Sequence, residues 1–240
     1  MGNDTKQART VIVTGSSKGI GKSIAEKFAE EGNTVLLCAR NEATLAQAAL
    51  DISKKYPQAS IKTFVADLSQ KVEVLAFATW CLQQGTPMIL VNNAGVYLPG
   101  NASNEPEGHL EKMMNTNLYS AYHLTQALLP SMMQEAEGHI FNICSIASLQ
   151  AYQGGGSYSI SKFAMNGFSQ NLRLELKQSG IKVTAVFPGA VLTDSWGDFD
   201  NSAKRIMEAS DVAAMVLAAS KLSAQAVVEE IVLRPQLGDL

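Results

Sequence analysis

Ser145, Tyr158 and Lys162 bring a hydroxyl, a phenol and an ammonium into one short stretch of chain. Tyr158 and Lys162 stand four residues apart in Tyr158-Ser159-Ile160-Ser161-Lys162, so on a helix their side chains share one face. An ordinary phenol, with a pKa near 10, transfers protons poorly at neutral pH. An ammonium held beside a phenol favours its ionised form and brings proton transfer into working range. Such a pair suits a reaction in which an oxygen gains negative charge and must be protonated, as when hydride adds to a carbonyl. The Ser145 hydroxyl would orient and stabilise that oxygen. A Tyr-x-x-x-Lys pair by itself is ordinary helix surface; its company gives it meaning.

That company begins with Thr14-Gly15-Ser16-Ser17-Lys18-Gly19-Ile20-Gly21, which follows an apolar run and opens a helical pattern. Glycines there let the backbone turn sharply and approach a phosphate. The helix N-terminus offers unpaired N–H groups and the positive end of its dipole. The spacing differs from the commonest dinucleotide fingerprint, but the mechanics are the same. A second reading stays open here. Gly21-Lys22-Ser23 matches the end of a nucleotide-triphosphate P-loop, although the first glycine of that motif would fall on Ser16.

The following run ends Cys38-Ala39-Arg40, with no carboxylate before Glu42 to accept from a ribose 2′-hydroxyl. Arg40 can instead bind a 2′-phosphate through paired, charge-assisted hydrogen bonds, with Lys18 adding positive charge nearby. The pattern therefore predicts NADP, with NADPH preferred over NADH.

Seven short apolar, β-branched runs must position these groups: Thr10–Thr14, Thr34–Ala39, Ile61–Val65, Met88–Val91, His139–Ile143, Lys182–Phe187 and Ile231–Leu233. Runs apolar on both faces suit a parallel sheet covered on both sides. Helical stripes lie between them: Ile20, Ile24, Ala25 and Phe28; Leu45, Ala48, Ala49 and Ile52; Leu118, Tyr122, Thr125 and Leu129; Phe163, Phe168, Leu172 and Leu176. The alternation predicts an α/β fold, a doubly wound parallel sheet of Rossmann type with about seven strands and helices on both faces. Residues 1–240 read as one domain with a flexible stretch over 1–9, and Gly154-Gly155-Gly156 reads as a flexible loop.

Composition narrows the function classes. The chain has 240 residues, a net charge of −3, 46% hydrophobic and 17% charged residues, which excludes disorder and argues against nucleic acid or an anionic membrane surface as partner. No apolar run is long enough to span a bilayer, and Met1–Gln7 carries no apolar segment of signal-peptide type. Cys38, Cys81 and Cys144 form no Cys-x-x-Cys pair and His109, His123 and His139 no ligand-spaced set, so reduced thiols, a cytoplasmic setting and no metal are expected.

Taken together, Thr14-Gly15-x-x-x-Gly19-Ile20-Gly21, Asn92-Asn93-Ala94-Gly95, Ser145, Tyr158-x-x-x-Lys162 and Pro188-Gly189 resemble the short-chain dehydrogenase/reductase family in order and spacing over nearly the whole chain. Within it, the pattern is closest to 3-oxoacyl thioester reductases and sepiapterin-reductase-like members. The resemblance implies that Asn117 joins the site, holding a water that links Lys162 to solvent, and that Lys162 also contacts the nicotinamide ribose. It implies an adenine site at Asp67 and Leu68, and Asn93, Ala94 and Gly95 beside the adenosine ribose. It also implies a nicotinamide carboxamide site on Pro188, Gly189, Val191 and Thr193. Gly15, Ser17, Lys18, Gly19, Ile20, Gly21 and Arg40 complete the nucleotide set.

Two departures, Ile160 where a small residue is usual and the triple glycine before Tyr158, bear on substrate preference and loop mobility. Ile146–Gly156 and Asp194–Lys204 are the candidate substrate loops, with Leu149, Tyr152, Trp196, Phe199, Tyr97 and Leu98 as candidate walls. No arginine cluster marks a phosphorylated substrate, and Arg205 is the nearest arginine. The resemblance further implies a homodimer or homotetramer formed through the helices around Asn117–Met133 and Tyr158–Gln178, with Ile231–Pro235 at a second interface. An enzyme acting on a small carbonyl or alcohol is the leading reading; a dinucleotide-sensing protein of the same fold without turnover is the alternative.

Overall fold

The computed structural model describes residues 8–193 and 196–239. The apolar runs become seven strands: β1 (Thr10–Thr14), β2 (Thr34–Ala39), β3 (Ser60–Val65), β4 (Pro87–Asn92), β5 (Gly138–Ile143), β6 (Ile181–Pro188) and β7 (Glu230–Leu233). All neighbours pair in parallel, in the order β3-β2-β1-β4-β5-β6-β7. The winding direction reverses between β1 and β4, which opens a crevice at the carboxyl ends of these two strands, where open α/β sheets bind ligands.

Alternate residues of one strand feed opposite cores, which is why each run is apolar throughout. Val11, Val13, Val35 and Leu37 face α1 (Gly19–Glu30), α2 (Glu42–Lys55) and α7 (Ala209–Ser220), packing with Ile24, Phe28, Ile52 and Val216. Ile12, Leu36 and Cys38 face the other way, toward α3 (Lys71–Gln84), α5 (Ser120–Glu135) and α6 (Gly156–Leu176), and pack with Phe77, Leu128 and Leu172. A short α4 (His109–Met114) leads through a π-helical segment, Asn115–Tyr119, into α5.

Three details depart from expectation. On α5 the buried residues are Ser120, Ala121, Leu124, Thr125, Leu128 and Met132, whereas Tyr122 is exposed. The π segment widens the turn at Leu118 and breaks the 3.6-residue register on which the expected stripe depended. On α6, Phe163 also lies on the exposed face while Leu172 and Leu176 are buried. Residues 1–7 lie outside the described residues, and Arg9, expected in a flexible stretch, is anchored. Its N–H donates to Asn33 Oδ1 (3.1 Å) and its guanidinium to Ser220 O (3.3 Å).

No helix among the described residues is long and apolar enough to cross a membrane. Among them, too, no group of three or more His, Cys, Asp or Glu side chains could hold a metal ion. Cys38, Cys81 and Cys144 are buried free thiols, and burial pushes Cys38 up to about 12 and Cys144 up to about 11.

Candidate active site

The residues that could do chemistry converge on the carboxyl edge of the sheet. The glycine loop Gly15–Lys18 joins β1 to α1, and Arg40 is exposed just past β2. Asp67 and Leu68 follow β3, Asn93–Gly95 follow β4, and Ser145 follows β5. Pro188 ends β6, and the loop carrying Gly189, Val191 and Thr193 comes next.

A hydrogen-bonded frame locks the glycine loop. Thr14 Oγ1 donates to Val91 O (3.3 Å) and accepts the N–H groups of Asn93 and Ala94 (both 2.9 Å). Asn93 Nδ2 donates to Thr14 O (2.9 Å) and Gly15 O (3.1 Å). Its side chain thus braces the turn. Gly21 lies against this brace, where a Cβ would come within 2.4 Å of Gly15 O and 2.5 Å of Asn93 Nδ2.

Ser16 is buried, accepts the Cys38 N–H (3.0 Å) and donates to Cys38 O (3.3 Å), tying the loop to β2. This geometry overturns the P-loop alternative. The residue at the missing glycine is a structural anchor, and Lys22 lies within α1 with its ammonium 2.8 Å from Asp51 of α2. Thr14 and Ser16 were absent from the expected site set. Their roles depend on β1 lying between β2 and β4, which no local pattern reveals.

The same edge fits a dinucleotide by its own geometry. Lys18 is the N-cap of α1, which has no side-chain cap hydrogen bond and no acidic residue in its first turn, so the positive end of its dipole suits a phosphate. Thr193 covers this turn from the far side, its Cγ2 being 3.2 Å from where a Cβ on Gly19 would stand. Asp67 is partly engaged: its N–H donates to Glu73 Oε2 (2.6 Å) and its Oδ1 accepts the Ser69 N–H (3.0 Å).

Ser145 caps a 3₁₀ turn, Ile146–Ser148, by accepting the Ala147 N–H (3.2 Å), an arrangement that keeps its own O–H available to donate. Tyr158 and Lys162 sit in the first two turns of α6. Lys162 is 5% exposed, and its Nζ donates to Ile143 O at 2.8 Å and lies 5.8 Å from the centre of the Tyr158 ring. The strand end therefore fixes the ammonium beside the phenol.

Asn117, in the π segment, accepts the Val96 N–H (2.7 Å) and donates to Val96 O (3.0 Å) and Ser161 Oγ (2.9 Å). A π turn at such a residue re-aims a side chain that a regular helix would hold elsewhere. Here it joins the chain after β4 to α6.

Aromatic residues stand on the substrate side. Tyr97 meets Tyr158 edge-on at 5.0 Å, and Trp196 and Phe199 pack together at 5.3 Å. Burial, and next a hydrogen bond with Tyr97, push the Tyr152 phenol well above its ordinary value. Asp194, at the start of the second candidate loop, and Ser195 lie outside the described residues, as does the structure of that loop's first turn. Of Gly154-Gly155-Gly156, expected as a flexible loop, Gly155 and Gly156 are packed, whereas a Cβ on Gly154 would meet nothing within 4 Å. Gly155 is buried, and a Cβ on Gly156 would come within 2.5 Å of Gly100 O.

Residues 9–204 match the family model described as short chain dehydrogenase. A curated relative, the sepiapterin reductase of Chlorobaculum tepidum, is 36% identical over 239 residues, covering 96% of this chain and 97% of its own length. A metagenomic short-chain oxidoreductase solved in complex with NADP superposes with a TM-score of 0.83 at 30% identity, over 95% of this chain and 97% of that one. A short-chain dehydrogenase from Sphingobium yanoikuyae, in complex with NADPH, gives 0.81 at 30% identity, over 92% and 87%.

Proposed function

Given that this chain belongs to the short chain dehydrogenase family of oxidoreductases, we propose that it reduces a small carbonyl compound to an alcohol with NADPH as the preferred cofactor. The observation that carries the reading is the buried Lys162 ammonium, hydrogen-bonded to Ile143 O and 5.8 Å from the Tyr158 ring, with Ser145 two residues past Ile143 and its O–H left to donate.

The glycine loop, Asp67, Leu68, Asn93–Gly95 and the Pro188–Thr193 segment would hold the dinucleotide, with Arg40 and Lys18 at its 2′-phosphate. The reduced nicotinamide supplies the hydride when bound. Ser145 donates a hydrogen bond to the substrate oxygen as charge develops there. Tyr158 gives that oxygen its proton. The positive charge of Lys162 stabilises the phenolate left behind, and Ile143 O holds this ammonium in place. Asn117 keeps Val96 and Ser161 in register around the pair.

Small ketones and 3-oxoacyl thioesters are the substrate classes we favour, and the name of the C. tepidum relative makes sepiapterin a third compound to test. The exposed apolar groove along α5 and α6, lined by Tyr119, Tyr122 and Phe168, supports a homodimer or homotetramer. The buried, unpaired thiols support a cytoplasmic setting.

The test is NADPH oxidation with these three substrate classes, in the wild type and in Tyr158→Phe. Removing the phenolic proton should lower turnover by about 10²–10⁴-fold, the usual worth of a general acid, with NADPH affinity by calorimetry unchanged. Wild-type turnover in the variant would refute the proton-donor role. NADPH binding without reduction of any of these compounds would favour the sensing alternative.

A further inference from the structure

The start of α6 is held by a residue far away in sequence. α6 has Gly155 as its N-cap, with no side-chain cap and no acidic residue in its first turn. A helix end of this kind needs acceptors for its orphan N–H groups. Here the acceptor is Glu105, from the chain between β4 and α4. Its Oε2 accepts the Ser157 N–H (3.2 Å), and its Oε1 accepts the Ser157 O–H. Ser157 is 1% exposed and immediately precedes Tyr158.

Backbone contacts reinforce this clasp. Gly100 N–H donates to Gly154 O (3.2 Å), and Gly154 N–H donates to Asn101 Oδ1 (3.0 Å). Gly156 has φ +31°, and a Cβ there would come within 2.5 Å of Gly100 O and 2.8 Å of Glu105 Oε2. The triple glycine therefore lets the 100–105 segment press directly on the helix end. The chain leading into it begins at Val96, which Asn117 pins through both backbone groups, and carries Tyr97, which meets the Tyr158 ring edge to face.

We propose that Glu105 is a positioning residue for Tyr158, coupling the substrate-side segment 96–108 to the placement of the proton donor. The inference rests on the reading of Tyr158 given above. Cap and dipole effects fade within the first helical turn, and Tyr158 lies in that turn whereas Lys162 lies in the next. Loss of the cap thus shifts the phenol relative to the ammonium, and displacements near 1 Å at a reacting group cost about 10²-fold in rate.

The experiment measures kcat and KM with NADPH and a small 1,2-diketone for the wild type, Glu105→Ala, Glu105→Gln and, in parallel, Tyr158→Phe. Amide hydrogen exchange over 156–162 is followed in each protein. Glu105→Ala should lower kcat by about 10- to 100-fold, leave KM for NADPH within about twofold, and speed exchange at the Ser157 and Tyr158 amides. Glu105→Gln keeps an acceptor oxygen for the Ser157 N–H and should recover kcat to within about threefold of the wild type.

If Glu105→Ala does not fold, Glu105→Asp, whose carboxylate is drawn back by one methylene, carries the same expectation. Unchanged kcat in the alanine variant overturns the proposal, as does unchanged exchange at those two amides, or a glutamine variant as impaired as the alanine one. Full activity in Tyr158→Phe sinks the proton-donor reading instead, and the exchange data still report on the Glu105 cap.

Discussion

The two halves of the sheet line their clefts by different means. On the nucleotide half, the ends of β1, β2 and β4 are stitched together by Thr14, Ser16 and Asn93, whose polar atoms reach neighbouring backbone within 3.3 Å. On the substrate half, the segments after β4 and β5 present Tyr97, Leu149 and Tyr152 at 41%, 41% and 46% exposure, and Tyr97 meets the site through ring contact. The first design shapes a cavity from backbone, where a side chain can only obstruct. The second shapes it from side chains, each replaceable without moving the strand beneath. A ligand common to many reactions suits the first, and a substrate that differs from enzyme to enzyme suits the second.

Gly21→Ala should produce the largest break in this contrast. The added methyl would press on Gly15 O at 2.4 Å and Asn93 Nδ2 at 2.5 Å, and both atoms are held by the stitching. With no room to yield, overpacking costs of about 1–3 kcal/mol or more apply, and NADPH affinity should fall on the order of 100-fold by calorimetry. Leu149→Ala, on the other half, should leave NADPH affinity within about twofold of the wild type. Comparable losses from both variants would mean that the two halves are not built differently.

The substrate half also rests on a buried group at the opposite end of its strands, which sharpens the contrast through pH. His139, in β5, is buried with its Nε2 2.7 Å from Thr184 Oγ1, and Thr184 in turn donates to Val228 O (2.6 Å). With its own O–H given to Val228, Thr184 Oγ1 accepts a hydrogen bond from the Nε2–H of the neutral ring. Burial first, then the charges of Lys182 and Arg9, bring His139 down to about 3.

Since the folded value lies below the unfolded value of about 6.5, the unfolded chain binds the extra proton between those two pH values. The stabilisation is complete above pH 6.5 and falls by about 1.4 kcal/mol per unit as pH drops toward 3. Between pH 6.5 and 4.5 the wild type should therefore lose up to about 2.7 kcal/mol through this residue. Urea midpoints of the wild type and His139→Gln, measured across that range, isolate the contribution. Parallel pH slopes in the two proteins would remove His139 from the account.

The strands were legible because a parallel strand covered on both faces reads as an unbroken apolar run; Thr10–Thr14 and Thr34–Ala39 match β1 and β2 residue for residue. Tyr158 and Lys162 fall together on α6, as their four-residue spacing predicts for one helix face. Helix α3 announces itself through Val74, Phe77, Ala78 and Cys81, a regular apolar stripe that motif-led reading passed over. On α5 the stripe misled, since the π segment resets the register and leaves Tyr122 on an outward face, and on α6 Phe163 is likewise exposed. Contacts between distant segments left no local trace. Ser16 meets Cys38 only once β1 and β2 pair, and Glu105 meets Ser157 across 52 residues. The triple glycine signals flexibility in isolation, and only the approach of Gly100 turns Gly156 into a packing requirement.

The smallest predicted effect falls where the nucleotide half relies on a side chain after all. Arg40 lies exposed just past β2, outside the stitched frame, so truncating it removes charge without disturbing the glycine loop. A guanidinium paired with a 2′-phosphate contributes through charge-assisted hydrogen bonds of about 1.5–3 kcal/mol in favourable settings. Exposure to solvent and salt reduces that toward about 1.4 kcal/mol, or about tenfold. Arg40→Ala should accordingly weaken NADPH about tenfold and leave NADH, which has a hydroxyl at that position, within about twofold. The loss should shrink as salt is raised, since a screened charge contributes less. Equal losses for the two dinucleotides would assign Arg40 to the frame and leave cofactor preference to other groups, whereas a selective, salt-sensitive loss makes it a side chain that tunes specificity on an otherwise backbone-built surface.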